Sequence, residues 1–271
     1  MRNKFNIVGL GIIALCATSC GPSGYDNTRL VVGLECDYAP FNWTGIAASD
    51  FTLPISGQRN QFADGYDIQI ARHLQVGLDV PITIKKISWD ALIPALQSGE
   101  INVIIAGMSF SEDRDKEVDF SNPYYVSDLV AVVRKSSPLA SATSIQDLGG
   151  YKVISQLGTL QDDLIDQIDD VVHMTGSKTF QTGALAVAST DADALIAEYP
   201  VAKAIVNANA SLSIVNFSIG FTGFDQNEIS VAVAVQEGNA ELLDMINTEL
   251  AKLDVEARTS LMDGAIERAL A

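Results

Sequence analysis

Apolar residues in this chain fall into two kinds of run, short unbroken strings of strand length and longer stretches with helical spacing, and the two alternate. Leu30-Val-Val-Gly-Leu reads as a buried first strand. It runs into Glu35-Cys-Asp-Tyr-Ala-Pro-Phe-Asn-Trp43, where Ala39-Pro40 stops the strand and leaves Tyr38 and Phe41 facing whatever lies above the sheet. Residues 44–64 are polar and Gly-containing, with Pro54, and predict a long loop. From Gly65 the spacing of Ile68, Ala71 and Leu74 predicts a helix with one apolar side. Residues 81–87 alternate as a second strand, 89–97 predict a helix that Gly99 ends, and 101–106 a third strand. Strands alternating with helices predict an α/β fold with a parallel sheet and crossover connections.

Residues 126–133 are strongly apolar and β-branched, after which Lys135-Ser-Ser-Pro-Leu-Ala-Ser-Ala-Thr-Ser breaks the pattern. A crossing between two units is expected near residues 124–129. A second α/β unit follows. It comprises a strand over 151–155, a turn at Gly158-Thr159-Leu160-Gln161 into a helix, a helix over 184–189, a short strand over 194–197 and a helix opened by Tyr199-Pro200. Residues 217–227 return toward the first unit, 229–235 predict a strand and 239–253 an amphipathic helix.

With 271 residues the chain has room for one large or two smaller domains. Its net charge of −17 would repel phosphates and argues against nucleic acid; otherwise it describes a solvated acidic surface. Arg2 and Lys4 precede an apolar stretch over 5–15, too short for a membrane span, and residues 1–19 read as a targeting segment. Ala17-Thr-Ser-Cys20-Gly resembles a bacterial lipobox, with Ala17 where Leu is usual. Cys20 is therefore expected to carry lipid, with residues 20–28, including Gly21-Pro-Ser-Gly, as a tether. Cys16 leaves with the targeting segment, so no internal disulfide is possible; Cys36 reads as a buried small hydrophobe. No later stretch has eighteen uninterrupted apolar residues, which predicts a soluble but anchored mature protein.

The chemistry concentrates in residues 105–125. Gly107 permits close backbone approach, Ser109 and Ser111 supply hydroxyls, and Ser111 can cap a short helix carrying Arg114 in its first turn. These groups converge past the carboxyl end of a strand, where open α/β sheets bind ligands. Arg114 can grip a planar carboxylate with two hydrogen bonds. The same stretch also reads as a surface turn with Arg114 paired to Asp115, Glu117 or Asp119.

Tyr38-Ala-Pro-Phe, Gly65-Tyr-Asp-Ile, Trp89-Asp-Ala-Leu-Ile-Pro-Ala-Leu-Gln-Ser-Gly, Ala106-Gly-Met-Ser, Arg114, Val118-Asp-Phe-Ser-Asn-Pro-Tyr-Tyr, Gln156-Leu-Gly-Thr and Asp193-Ala-Leu-Ile-Ala-Glu-Tyr-Pro occur in this order across the mature chain. Each is weak alone; the ordered set resembles a solute-binding protein of an ABC importer, of the polar amino-acid class. The resemblance implies a type II periplasmic-binding fold, two lobes joined by two crossing strands and closing like a clam shell. Residues 29–126 with 222–271 are expected to form one lobe and 127–221 the other.

The resemblance also assigns roles. Arg114 takes the ligand's α-carboxylate and Ser109 helps at the carboxylate or ammonium. Gly107 offers its carbonyl to the ammonium. Thr159 and Leu160 start a helix in the opposite lobe whose amides meet the carboxylate; Leu160, where many relatives have Thr, contributes backbone only. Glu198 stands where the family's Asp pairs with the α-ammonium. Glu35, Tyr38 and Trp89 form the side-chain pocket, two rings and a carboxylate that suit an ammonium, guanidinium or imidazolium and also tolerate an amide. Gln156 and Asp37 are further candidates, while Tyr38 and Trp89 also read as core, and Asp37 as a solvated turn residue.

The implied function is capture of a basic L-amino acid (arginine, lysine or histidine, with glutamine and cystine still open) outside the cell. A membrane permease is the expected partner, with the chain as a lipid-anchored monomer on the outer face of the cytoplasmic membrane or in the periplasm. No Ser-His-Asp set, metal-ligand spacing or phosphate loop is present in the sequence, so no catalytic residue, metal or cofactor is expected. His73 is read as solvent-facing. The rival readings are a cleft enzyme of the same fold, such as a dehydratase using Glu198 as a general acid, and an extracellular amino-acid sensor.

Overall fold

The computed structural model describes residues 28–224 and 229–269. The expected targeting segment 1–19, Cys20, the tether up to residue 27 and residues 225–228 of the return lie outside them. Leu30–Leu34 forms a strand, as its apolar run predicts. It pairs in parallel with Ile82–Lys86 on one side and Val103–Ile104 on the other. Ala234–Gln236 then joins antiparallel beside Val103–Ile104 and carries Val118–Phe120 at the edge. The first sheet is therefore mixed, because one of its strands arrives only after the chain has visited the second unit.

Helix α1 (Tyr66–Leu78) buries Ile68, Ile70, Ala71 and Leu74 against this sheet and ends at Asp79 in the left-handed conformation. The stretch over 89–97 starts as a 3₁₀ turn at Trp89–Ala91 and continues as helix α2 (Leu92–Gln97), with Gly99 at φ 74° past its end. The long loop expected over 44–64 is instead part of a small antiparallel sheet. Asn42–Gly45 pairs with Asp37–Tyr38 and with Phe62–Asp64, which pairs with Leu53–Pro54. These strands are two to four residues long, too short for their alternation to stand out among polar neighbours.

The second sheet runs Val172–His173, Lys152–Ile154, Ala194–Glu198, Leu129–Arg134, Leu212–Val215. The first three are parallel and the last two antiparallel. Around it lie α3 (Leu160–Asp163), α4 (Phe180–Ala188), which starts four residues earlier than expected because Thr179 caps it, and α5 (Tyr199–Ala208). The two lobes are joined where Tyr125–Val126 pairs with Ser230–Val231. This pairing breaks the strand expected over 229–235 in two: its first half belongs to the joint and its second to the first sheet.

Helix α6 (Ala240–Leu250), capped by Asn239, packs on α1. His73 on α1 is half-buried there, its Nε2 2.8 Å from the Glu249 carbonyl, and does not face solvent as expected. A last helix, α7 (Val255–Arg268), was not foreseen from the apolar pattern; Asp254 caps it and Arg268 ties it to Asp64 through bonds of 3.0–3.1 Å. Cys36 is buried, as expected, and burial pushes its thiol up to about 12.

Candidate functional site

Glu35 directly follows Leu30–Leu34, Gly107 and Ser109 lie past Val103–Ile104, Gln156 past Lys152–Ile154, and Glu198 ends Ala194–Glu198. The functional candidates of both lobes thus sit at the carboxyl ends of strands, which face each other across the cleft. All ten residues expected at the ligand line one cavity there, together with Gln161 and Phe180, which no ligand-binding motif in the chain points to. The lobes are closed on one another, leaving about 10 Å³ of free space among these groups. Outward, the cavity meets a chamber of about 450 Å³ that shares Glu35 and Trp89 as walls and adds Asp37, Asp90, Lys86 and Lys178.

Arg114 opens a 3₁₀ turn, Arg114–Lys116, and its amide donates to the Ser111 hydroxyl at 3.2 Å. Its guanidinium donates to the Ser109 carbonyl at 2.7 Å and, across the cleft, to the Gly158 carbonyl at 3.0 Å. It lies over the Trp89 ring at 5.2 Å. Among the described residues no carboxylate is within ion-pair distance of it, so the surface-turn reading with Asp115, Glu117 or Asp119 as partner does not hold. Burial lowers its basicity from the ordinary guanidinium value, against the opposing charge of Asp163.

Two carboxylates face the same cavity. Glu198 is 3% exposed; it accepts from the Tyr38 hydroxyl across the cleft at 2.5 Å and from Gln161. Burial raises its affinity for a proton, which these donors oppose. Glu35 is also buried and accepts from Gln156 Nε2 of the opposite lobe at 3.1 and 3.2 Å. Burial, opposed by Gln156 and reinforced by Asp37, pushes the Glu35 carboxyl up to about 7.

Gly107 lies at φ 61°, and a Cβ there would come within 2.6 Å of the Tyr38 ring, so this close approach requires glycine. The Ser109 backbone bridges to Val231 beside the joint. Thr159 spends its hydroxyl as the cap of α3, accepting from the Asp162 amide at 3.3 Å and donating to the Gln156 carbonyl at 2.7 Å. Helix α3 has four residues, so what Thr159 and Leu160 offer is local amides more than a macrodipole.

One expected role shifts. The Tyr38 ring is stacked on Phe41 and on Phe180, each at 5.1 Å, so it does not stand beside Trp89 as an open ring face. Tyr38 instead reaches Glu198 with its hydroxyl, and Phe180, the first residue of α4, supplies a second aromatic wall. Trp89 is half-buried and donates from Nε1 to the Gly158 carbonyl at 3.2 Å. The cap pattern Thr179-Phe180 was the signal available in the sequence for Phe180; nothing in the chain's pattern singled out Gln161. Asp37 is exposed in the outer chamber.

Comparison with known proteins agrees with this architecture. The model of the bacterial extracellular solute-binding proteins, family 3, matches residues 30–260. The L-cystine-binding protein TcyJ of Escherichia coli (strain K12) is 29% identical, with 83% of this chain and 77% of that protein covered. A probable histidine-binding protein of Campylobacter jejuni is 29% identical over 72% of this chain and 70% of its own length. Among solved structures, an ancestral arginine-binding protein bound to glutamine superposes with a TM-score of 0.71 at 32% identity, covering 87% of this chain and 96% of that one. The fold is that of the type II periplasmic amino-acid-binding proteins, and the chain belongs to the bacterial extracellular solute-binding proteins of family 3.

Proposed function

We propose that the chain is the extracytoplasmic substrate-binding component of an amino-acid ABC importer and that its ligand is a basic L-amino acid: arginine, lysine or histidine. The observation that carries this reading is the charge set facing the cavity. It holds one guanidinium with no carboxylate partner and two buried carboxylates whose partners are neutral donors. A buried charge needs a counter-charge. A ligand with an α-carboxylate for Arg114, an α-ammonium for Glu198 and a cation at its far end for Glu35 supplies all three. The far end points toward the outer chamber, which shares Glu35 and Trp89 with the cavity. Glutamine is the second reading, favoured by the value of about 7 for Glu35, since a protonated carboxyl can exchange hydrogen bonds with an amide. The related proteins named for cystine, histidine and arginine bind ligands that share the α-amino-acid head.

Residues 29–126 with 222–271 act as one lobe and 127–221 as the other, and closure of both on the ligand shifts the open–closed equilibrium. The 10 Å³ left in the closed cavity is about the space of one water, so ligand entry requires the lobes to part. A membrane permease is the partner that receives the ligand, and lipid on Cys20 holds the chain, as a monomer, at the membrane. No helix among the described residues is long and apolar enough to cross a membrane.

The test is a thermal-shift screen of the chain from residue 28 onward against all L-amino acids, since a ligand binding only the folded state raises the melting temperature. Shifts confined to arginine, lysine or histidine support the reading; a response to glutamine alone replaces it with the amide reading. No shift with any amino acid, from a folded sample free of carried-over ligand, overturns both and favours the enzyme or sensor alternative.

A further inference from the structure

A buried polar cluster lies behind the cleft and outside the cavity lining. At its centre is Asp67, in the first turn of α1 and 0% exposed. Each of its carboxylate oxygens takes one donor: the Tyr124 hydroxyl on Oδ1 at 2.7 Å and the Asn42 side-chain amide on Oδ2 at 2.8 Å. Both donors hold a backbone amide of the site in turn. The Tyr124 oxygen accepts from the Gly107 amide at 3.0 Å, and Asn42 Oδ1 accepts from the Cys36 amide at 2.7 Å. Gly107 lines the cavity, and Cys36, held at φ 54°, follows Glu35, which lines it too. A third bond, from the Tyr66 hydroxyl to the Tyr124 carbonyl at 2.8 Å, fixes the residue just before the joint strand Tyr125–Val126.

We propose that Asp67 is a positioning residue of the site: one carboxylate that fixes, through Tyr124 and Asn42, both Gly107 and the Glu35–Cys36 corner. Its effect on binding rests on the reading of the cavity as the ligand site; its effect on the geometry does not. The donor count explains why a carboxylate stands here. Tyr124 and Asn42 each present a donor to position 67, and only a group accepting on both oxygens satisfies both. A side chain chosen for packing alone would be apolar, since a buried carboxylate carries a desolvation cost, visible in the rise of this group to about 7. The amide of Asp67→Asn turns one donor against another. Swapping the pair, Asn42→Asp with Asp67→Asn, restores every bond: the amide at 67 donates to the carboxylate at 42 and still accepts from Tyr124, and position 42 still accepts from Cys36.

The experiment follows amide hydrogen exchange by NMR in the wild type, Asp67→Asn and the swapped pair. Exchange at Gly107 and Cys36 is expected to quicken at least tenfold in Asp67→Asn, while Ile84 and Val132, in the two central sheets, hold their rates; the swapped pair returns both to the wild-type rate. Titration with L-arginine, L-lysine, L-histidine and L-glutamine is expected to weaken at least tenfold in Asp67→Asn for whichever binds the wild type, and to recover in the swap. Unchanged protection at Gly107 and Cys36 in Asp67→Asn, or a swapped pair as fast as the single variant, overturns the proposal. If Asp67→Asn does not fold, Tyr124→Phe cuts one arm: Gly107 must lose protection while Cys36 keeps it, and equal change at both overturns the two-arm arrangement. If the wild type binds none of the four ligands, the functional reading fails and the exchange rates alone decide this one.

Discussion

On the proposed reading, Glu35 ties recognition of the ligand's charge to pH, and the tie has a sign. Its carboxyl is pushed up to about 7 by burial, with Gln156 opposing and Asp37 adding to the rise. A cationic side chain needs the carboxylate. Below pH 7 ionising it costs about 1.4 kcal/mol per pH unit, so affinity for arginine or lysine falls roughly tenfold per unit. Between pH 8 and pH 5.5 that amounts to about 2 kcal/mol, or roughly thirtyfold, and the profile levels off above pH 7. An amide ligand reverses the sign: burying the carboxylate against a neutral group favours the protonated form, so affinity falls as pH rises through 7. Isothermal titration in two buffers of different ionisation enthalpy reads the same distinction directly. Near neutral pH arginine or lysine, already fully protonated, releases protons on binding and glutamine takes them up. Glu198 and Asp67, whose burial also raises them, contribute to the raw profile, so the decisive quantity is the difference from Glu35→Gln. That variant is expected to flatten the Glu35 part of the slope and to weaken a basic ligand at pH 8. A slope that survives intact in Glu35→Gln, or a flat wild-type profile, refutes the assignment of Glu35 as the ligand's counter-charge.

The remaining predictions follow from the same geometry. Glu35→Gln is expected to stabilise the ligand-free chain by about 3 kcal/mol at pH 8 and by nothing near pH 4, read by urea unfolding. A carboxyl raised from 4.5 to about 7 binds more protons folded than unfolded, so its stability is full below 4.5 and is lost as pH rises through 7. Arg114→Ala is expected to weaken amino-acid binding by about 3 kcal/mol in a calorimetric titration, since it leaves the ligand carboxylate buried and unpaired; unchanged affinity removes Arg114 from the site. Gly107→Ala forces a Cβ to within 2.6 Å of the Tyr38 ring at φ 61° and is expected to cost about 1–2 kcal/mol of stability in urea unfolding. Tyr38→Phe removes the donor to buried Glu198 and is expected to cost about 1–3 kcal/mol, checked by the same unfolding curves.

The chain's pattern carried the central strands and the main helices because each buries a continuous apolar run or a one-sided stripe. Leu30–Leu34 and α1 are of this kind. Elements whose stability comes from pairing left no such mark. Asp37–Tyr38 and Leu53–Pro54 exist only as partners of the strands beside them, and Val172–His173 contributes two residues, one of them exposed, to a sheet edge. Helix α7 has few buried residues and is held by Arg268 on Asp64, a contact across 204 positions that no local pattern reveals. The lining of the cavity was legible as residue types at positions, since every residue expected at the ligand lies along it. Its bonding was not. The stacking of Tyr38 on Phe180 and its bond to Glu198 arise from closure of one lobe on the other, and the donation of Gln161 to Glu198 joins residues 161 and 198 of one lobe that no local pattern pairs.

That closure also explains how a zwitterion, more than the protein alone, would favour the closed form. Among the described residues, four hydrogen-bonded contacts join the lobes across the cavity: Tyr38 to Glu198, Trp89 and Arg114 to the Gly158 carbonyl, and Gln156 to Glu35. In each, at least one member is neutral, so none repays the burial of a charge as fully as an ion pair with hydrogen bonds does. An amino acid replaces these with charge-on-charge pairs to groups drawn from both lobes, and it can do so only where the lobes meet. The contacts it displaces are the reference against which it binds: its affinity is the surplus of its pairs over theirs. Weakening a cross-cleft contact that the ligand displaces should therefore tighten binding, whereas weakening one it keeps should loosen it. Trp89→Phe removes the bond from the indole nitrogen to Gly158 and keeps a ring, smaller than the indole, under Arg114. If Arg114 leaves Gly158 for the ligand carboxylate while Trp89 keeps its bond, this variant binds more weakly in calorimetric titration; tighter binding would mean that the indole nitrogen is released as well.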